Sequence, residues 1–256
     1  MYFICGGRIK TIAIINQKGG VGKSTTAHAI GAGFALKGKR IAYIDLDAQG
    51  NLTYTLKANS NGLSALDVLT KSATAAEAMQ QTEQGNIIPA TPALTGADAT
   101  ITTTGKEYRL REALEPLCKN YDYVIIDTPP ALGILTINAL TASNGIIIPA
   151  HADIYSLQGI GQLHSTITAV KQYCNPTLKV MGILLTRHNP RAILSRDMAD
   201  MIEDTAKQLN TKVCKSRIRD NIAIKEAQAY QQDIYSYANK SNAAEDYRAL
   251  INEIRI

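Results

Sequence analysis

The chemistry of this chain is concentrated in the ten residues Asn16–Thr25, NQKGGVGKST. Gly19, Gly20 and Gly22 permit turns and close approaches that a side chain would block, so backbone N–H groups can surround phosphate oxygens. Lys23 stands where an ammonium can reach β- and γ-phosphates, and the Ser24 hydroxyl is placed to ligate Mg²⁺. Val21 and Thr25 complete the loop. Lys18 is the anomaly: a second lysine five residues before Lys23, in a loop whose first expected glycine is Gln17.

A phosphate site also needs acids for the metal, and parallel strands deliver these at their C-terminal ends. Asp127 ends the apolar run YVIID and fits this requirement. Asp45 and Asp47 close a second run, IAYIDLD. Strand alternation would put both on one face, with Asp47 orienting an attacking water and Asp45 supporting the metal's water shell.

These residues need a scaffold, and the pattern supplies one. Ile- and Val-rich runs at Lys10–Ile15, Arg40–Asp47, Tyr121–Asp127, Gly145–Ala150 and Lys179–Thr186 alternate with helical stretches at Ser24–Lys39, Tyr108–Cys118, Gly133–Ser143, Leu157–Tyr173, Ile193–Leu209 and Asn242–Ile254. Such alternation predicts an α/β fold of three layers, a mostly parallel twisted sheet with helices on both faces. Thr95–Gly105 reads as a loop of small residues. With 256 residues and no visible linker, a single domain over 1–256 is expected, residues 1–9 being a short extension before the first strand.

Composition narrows the classes. The four cysteines lie far apart without a CxxC pair, which argues against a disulfide framework or zinc site. No apolar run approaches the roughly 20 residues of a membrane span, and MYFIC lacks the basic lead of a signal peptide. A cytoplasmic location is expected. His28 and His164 fall on helices and read as packing or surface residues. The net charge of +5 is concentrated between Arg187 and Lys225, with nine Lys/Arg against five Asp/Glu.

The motifs KGGVGKST, DLDAQGN and VIIDTPPALG, in that order and spacing, resemble the deviant phosphate-loop motifs of the ParA-type (Soj-like) partition ATPases, in the wider ParA/MinD superfamily. The similarity continues through IIIPAHADIYSLQGIGQL and GILLTRHNPRAILSRDM to the C-terminal helix. It implies a P-loop NTPase fold, ATP and Mg²⁺ as cofactors, and an ATP-dependent homodimer in which Lys18 reaches the partner subunit's phosphates. It further implies non-specific DNA binding, stimulation by a ParB-like DNA-binding partner, a role in plasmid or chromosome segregation, and nucleoid association.

Two branches fit less well. AEDYRALINEIRI lacks the basic amphipathic character of a membrane-targeting helix, and no room precedes Lys10 for a helix-turn-helix. Related readings are a positioning ATPase for another cargo and a metabolic ATP-dependent ligase of the same superfamily. The sequence departs from the family near Ile218–Ala227, where Asp220 and Ala223 stand at positions expected to hold arginines and Arg219 replaces a proline. Arg187, Arg191, Arg196, Lys215, Arg217 and Lys225 could still form a phosphate-binding face, since that contact needs only suitably spaced positive charge.

Overall fold

The computed structural model describes residues 9–189, 193–208 and 210–254, and the side chains of 193–196 and 208 are not described. The expected extension at 1–9 therefore lies almost wholly outside the described residues.

The chain opens with β1 (Lys10–Ile14), α1 (Lys23–Leu36) and β2 (Ile41–Asp45), then three short helices, α2 (Asn51–Thr55), α3 (Ala65–Thr70) and α4 (Ala75–Ala78). A hairpin of β3 (Gln80–Thr82) and β4 (Gly85–Ile88) precedes α5 (Ala97–Thr100) and α6 (Arg109–Leu114). There follow β5 (Tyr123–Asp127), α7 (Ile134–Ala142), β6 (Gly145–Ala150), α8 (Ile154–Tyr173), β7 (Lys179–Leu185) and α9 (Ile193–Gln208). Helices α10 (Ile222–Ala229), α11 (Ile234–Tyr237) and α12 (Asn242–Glu253) complete the order.

Among the described residues, seven strands run β3-β4-β2-β5-β1-β6-β7, parallel except for the β3–β4 hairpin at one edge. Strand alternation sorts the apolar residues into two cores. Ala13, Ile44, Val124, Ile126 and Ile146 pack on one face, while Ile12, Ile14, Tyr43, Ile125 and Ile147 pack on the other. This is the three-layer arrangement the sequence pattern predicts.

Several boundaries differ, each for a local reason. β2 stops at Asp45, so Asp47 is no longer on the strand and the shared-face expectation for the two acids is corrected. Tyr108–Cys118 is not one helix: α6 ends at Leu114 and a 3₁₀ turn over Glu115–Lys119 follows, with Pro116 at its start. The Thr95–Gly105 loop contains α5. Helix α8 starts at Ile154 because Asp153 caps it, its carboxylate accepting from Ser156 N at 2.9 Å.

Helix α1 matters most for the site, because it carries the nucleotide loop at its N-terminus. Its first ten residues are buried on nearly every side except Ser24 and Thr25. Gly31 and Gly33 allow the close approach. A Cβ on Gly31 would meet the Tyr43 ring at 2.3 Å, and one on Gly33 would meet Ile251 at 2.0 Å. Tyr43 is itself fully packed and donates to His28 O, so its ring has nowhere to go. His28 is a core residue, as expected; burial pushes its imidazole down to about 4, and it stays neutral at pH 7.

Gly31→Ala tests this contact. Alanine favours helix by about 1 kcal/mol over glycine, but overpacking a rigid core costs about 1–3 kcal/mol. A net loss of stability is expected in urea titration, with ATP-loop residues untouched. A gain in stability would show that α1 does not rest on Tyr43 in this way.

Candidate nucleotide site

The loop is shaped by positive φ angles and by anchors from neighbouring strands. Gly20 and Gly22 take φ 74° and 88°, and nothing lies within 4 Å of where a Cβ on Gly19, Gly20 or Gly22 would point. The space is a cradle that side chains would fill. Asn16 Nδ2 donates to Pro149 O at the end of β6, and Asn16 Oδ1 accepts from Lys18 N. Thr186 Oγ1, just past β7, donates to Val21 O at 2.9 Å, and Thr128 Oγ1 donates to Ile14 O at 2.8 Å. Three strand ends thus hold one loop.

Gly19 through Thr25 line a cleft of about 660 Å³. Asp47, Gln49, Asn51 and Tyr54 form a second wall; Thr186, Arg187 and residues from Ile218 to Gln228 form the third. Lys23 Nζ lies 3.3 Å from Lys18 O. Burial pulls its ammonium below the usual lysine range, against the attraction of Asp127 and Asp47. A bound polyanion would replace that weak carbonyl contact with opposite charge.

The three acids have different surroundings. Asp127 is fully buried, and neither carboxylate oxygen has a hydrogen-bond partner. Burial, then the neighbouring Asp45, pushes its pKa well above the ordinary range, while Ser24 and Lys23 oppose that shift. A buried, unpartnered carboxylate beside a hydroxyl is a fit for a divalent cation, whose charge reverses the local balance.

Asp45 is satisfied instead. Its Oδ1 accepts from Asp47 N at 3.0 Å, and its Oδ2 accepts from Thr53 N and Thr53 Oγ1 at 2.8 and 2.7 Å. Burial raises it to about 6 despite these donors. Asp45 therefore organises the turn that presents Asp47, and its oxygens do not line the cleft. Asp47 does line the cleft, where a water-orienting role is sterically open.

Lys18 is not part of the cleft wall. Its Nζ pairs with Asp153 Oδ2 at 2.5 Å and lies 5.7 Å from the Tyr155 ring centroid. The basic residues expected to form one face are divided. Arg187 and Lys225 line the nucleotide cleft, and Arg217 is held by Glu203 at 2.9 Å. Lys215 is exposed and its backbone N–H donates to Glu253. Arg191 lies outside the described residues, as does the side chain of Arg196 on α9.

Sequence reasoning missed Gln228, whose Nε2 donates to Thr25 Oγ1 at 2.6 Å and ties α10 to the loop. It singled out Arg219 only as a departure from the family and not as a cleft residue, whereas its guanidinium is gripped by Asp246 at 2.7 Å while lining the cleft. A capping signal at Asn221, which accepts from Ala223 N, would have revealed α10. No local pattern announces either long-range contact.

Residues 9–180 match the family model described as AAA domain. The sporulation initiation inhibitor protein Soj of Bacillus subtilis is 40% identical over 250 residues, covering 96% of this chain and 98% of that protein. The chromosome partitioning protein ParA of Myxococcus xanthus is 39% identical, covering 97% and 88%. This chain belongs to the Soj/ParA family of partition ATPases. Among solved structures, a cobyrinic acid a,c-diamide synthase from Mycobacterium smegmatis with bound ADP and magnesium superposes with a TM-score of 0.83 at 35% identity, covering 96% of this chain and 93% of that one. Family membership makes the chain an ATPase. Among the described residues, no helix is long and apolar enough to cross a membrane.

Lys23→Ala removes the one buried ammonium in the cradle and should abolish measurable ATP binding by titration calorimetry. Retained affinity would mean that the loop binds nucleotide in some other way, or not at all.

Proposed function

We propose that this chain, read as a single domain over 1–256, is an ATP-driven dimerisation switch for DNA segregation. ATP and Mg²⁺ are its cofactors. Gly19–Gly22 and Lys23 bind and orient the phosphates, and Ser24 and Asp127 hold the metal. Bound Mg²⁺ neutralises charge on the phosphate oxygens. Asp47 orients the attacking water. Lys18 is the observation that carries the switch. Its ammonium stands outside its own cleft, in a partly exposed pair with Asp153, which supports a role toward a second subunit. Supplied in trans where negative charge builds up, it acts as an arginine finger does, an effect on the order of 10³–10⁵ in rate. A single subunit then has an incomplete site, ATP favours pairing, and hydrolysis undoes it.

The remaining steps rest on the family. The ATP-bound dimer binds DNA without sequence preference on the nucleoid, within the cytoplasm, and a ParB-like DNA-bound partner stimulates hydrolysis. The DNA contact is assigned to the basic set Arg187, Arg191, Arg196, Lys215, Arg217 and Lys225, of which Lys215 is exposed at the surface. A second reading, an ATP-dependent amide-forming enzyme, is favoured by the 35% identity to the Mycobacterium smegmatis synthase. A positioning role for another cargo uses the same switch. The two classes differ in what ATP turnover depends on: protein concentration for a switch, a small carboxylate and an ammonia donor for a ligase.

Two experiments test the proposal. Lys18→Ala subunits mixed with Lys23→Ala subunits should recover hydrolysis that neither mutant has alone. Absent recovery, with heterodimers demonstrated, assigns Lys18 to its own subunit. Fluorescence anisotropy with two unrelated duplexes should give ATP-dependent binding of similar strength to both. Its log affinity should fall with log salt by about 0.9 per phosphate contact. Charge reversal at Lys215 should flatten that slope and leave ATP affinity unchanged. A wild-type dimer that ignores DNA at low salt would remove segregation by nucleoid binding from consideration.

A further inference from the structure

The Lys18–Asp153 pair is built from two anchors on one strand end. Asn16 fixes the Lys18 backbone and is itself bonded to Pro149 O in β6. Asp153, four residues past Pro149, receives the ammonium on Oδ2 while Oδ1 caps α8 through Ser156 N. Both carboxylate oxygens are therefore used, one for the fold and one for Lys18. The capping role alone needs only one oxygen.

His151 lies beside the same oxygen, with Nδ1 3.9 Å from Asp153 Oδ2. Burial, then Arg187 and Lys18, holds its imidazole below the usual range, against Asp153 and Asp220, so the lysine is the cation that Asp153 meets at neutral pH. For Asp153 itself, burial opposes ionisation, but the hydrogen bond and charge of Lys18 with Ser156 N–H outweigh it and lower the carboxyl below its ordinary range. The Lys18 and Asp153 side chains are 27% and 34% exposed. The pair can open without unpacking the core.

We propose that Asp153 is a positioning residue that holds Lys18 in the separate subunit, so that pairing requires each Lys18 to exchange Asp153 for phosphates across the interface. This rests on the reading of Lys18 as a trans-acting charge. The holding contact biases the lysine away from free rotation and sets a threshold that ATP on the partner must overcome. Phosphates carry more negative charge than one carboxylate, so the exchange runs toward the dimer only when a nucleotide faces the lysine. An unloaded partner offers nothing better than Asp153.

A partly exposed pair of this kind is worth a factor of about 1.5 to 5 in an equilibrium, and a dimer opens two of them. Asp153→Asn keeps an N-capping oxygen and removes the charge. It should lower the protein concentration at half-maximal dimerisation, measured by light scattering with a non-hydrolysable ATP analogue, by about 2- to 25-fold. Asp153→Glu, which keeps the carboxylate, should stay closer to wild type. Independently of any dimer, Lys18 in nucleotide-free protein should be acylated several-fold faster by an amine reagent in Asp153→Asn, read by peptide mass spectrometry. Unchanged acylation would mean the pair does not hold Lys18, and the inference fails. Faster acylation with an unchanged or raised midpoint would mean that holding does not govern pairing, and it fails equally. Failure of the mixed-mutant recovery described above would instead remove the trans role of Lys18, whatever the acylation rate.

Discussion

Two buried carboxylates at the C-terminal edge of the sheet constrain everything around them. Asp45 and Asp127 lie opposite each other in the β2–β5 register, and neither is exposed to solvent. Two such charges side by side in a low-dielectric interior repel, and each loses its hydration. The fold resolves one by hydrogen bonding and leaves the other for chemistry. Thr53 and the Asp47 amide give Asp45 three donors, which also fixes the turn after β2. Asp127 has no comparable set of donors; burial and Asp45 push its pKa up, and Ser24 and Lys23 at the start of α1 oppose that shift.

That division explains why the loop must be held so firmly. Lys23 can face Asp127 only if α1 begins at one position relative to the sheet. Gly31 and Gly33 let the helix sit directly on Tyr43 and Ile251, and Asn16, Thr186 and Thr128 tie β1 and the loop after it to β6, β7 and β5. The central place of β1, between β5 and β6, brings these anchors within reach. In a doubly wound sheet, this reversal of strand order opens a crevice for a ligand.

The C-terminal segment is joined to the same site rather than lying apart from it. Gln228 bonds Thr25, and Arg219 is clamped to Asp246 on α12 while lining the cleft. The departures from the family at Arg219, Asp220 and Ala223 therefore fall in or beside the nucleotide wall. Ala223 is buried in the first turn of α10, where an arginine would need a different packing.

The sequence by itself determined whatever is decided within a turn or along one strand. The glycine loop with its Lys23 and Ser24, the apolar runs of β1, β2, β5, β6 and β7, and an acid at the end of β5 were all legible. Local spacing fixes which backbone angles and which side-chain faces are possible. It left the short helices and the β3–β4 hairpin unseen, because brief polar segments lack a clear period. Only the tertiary structure decided which acid faces the cleft. Alternation in IAYIDLD put Asp45 and Asp47 on one face, but β2 ends between them and Thr53, eight residues on, claims the first. Only the fold gave Lys18 its partner, since Asp153 is 135 residues distant and meets it because β6 lies beside β1. The basic residues from Arg187 to Lys225 form one cluster in the sequence and several sites in space, because β7, α9 and α10 carry them to different places. Contacts of this range depend on strand order, and strand order is set by how the whole chain buries its two apolar cores.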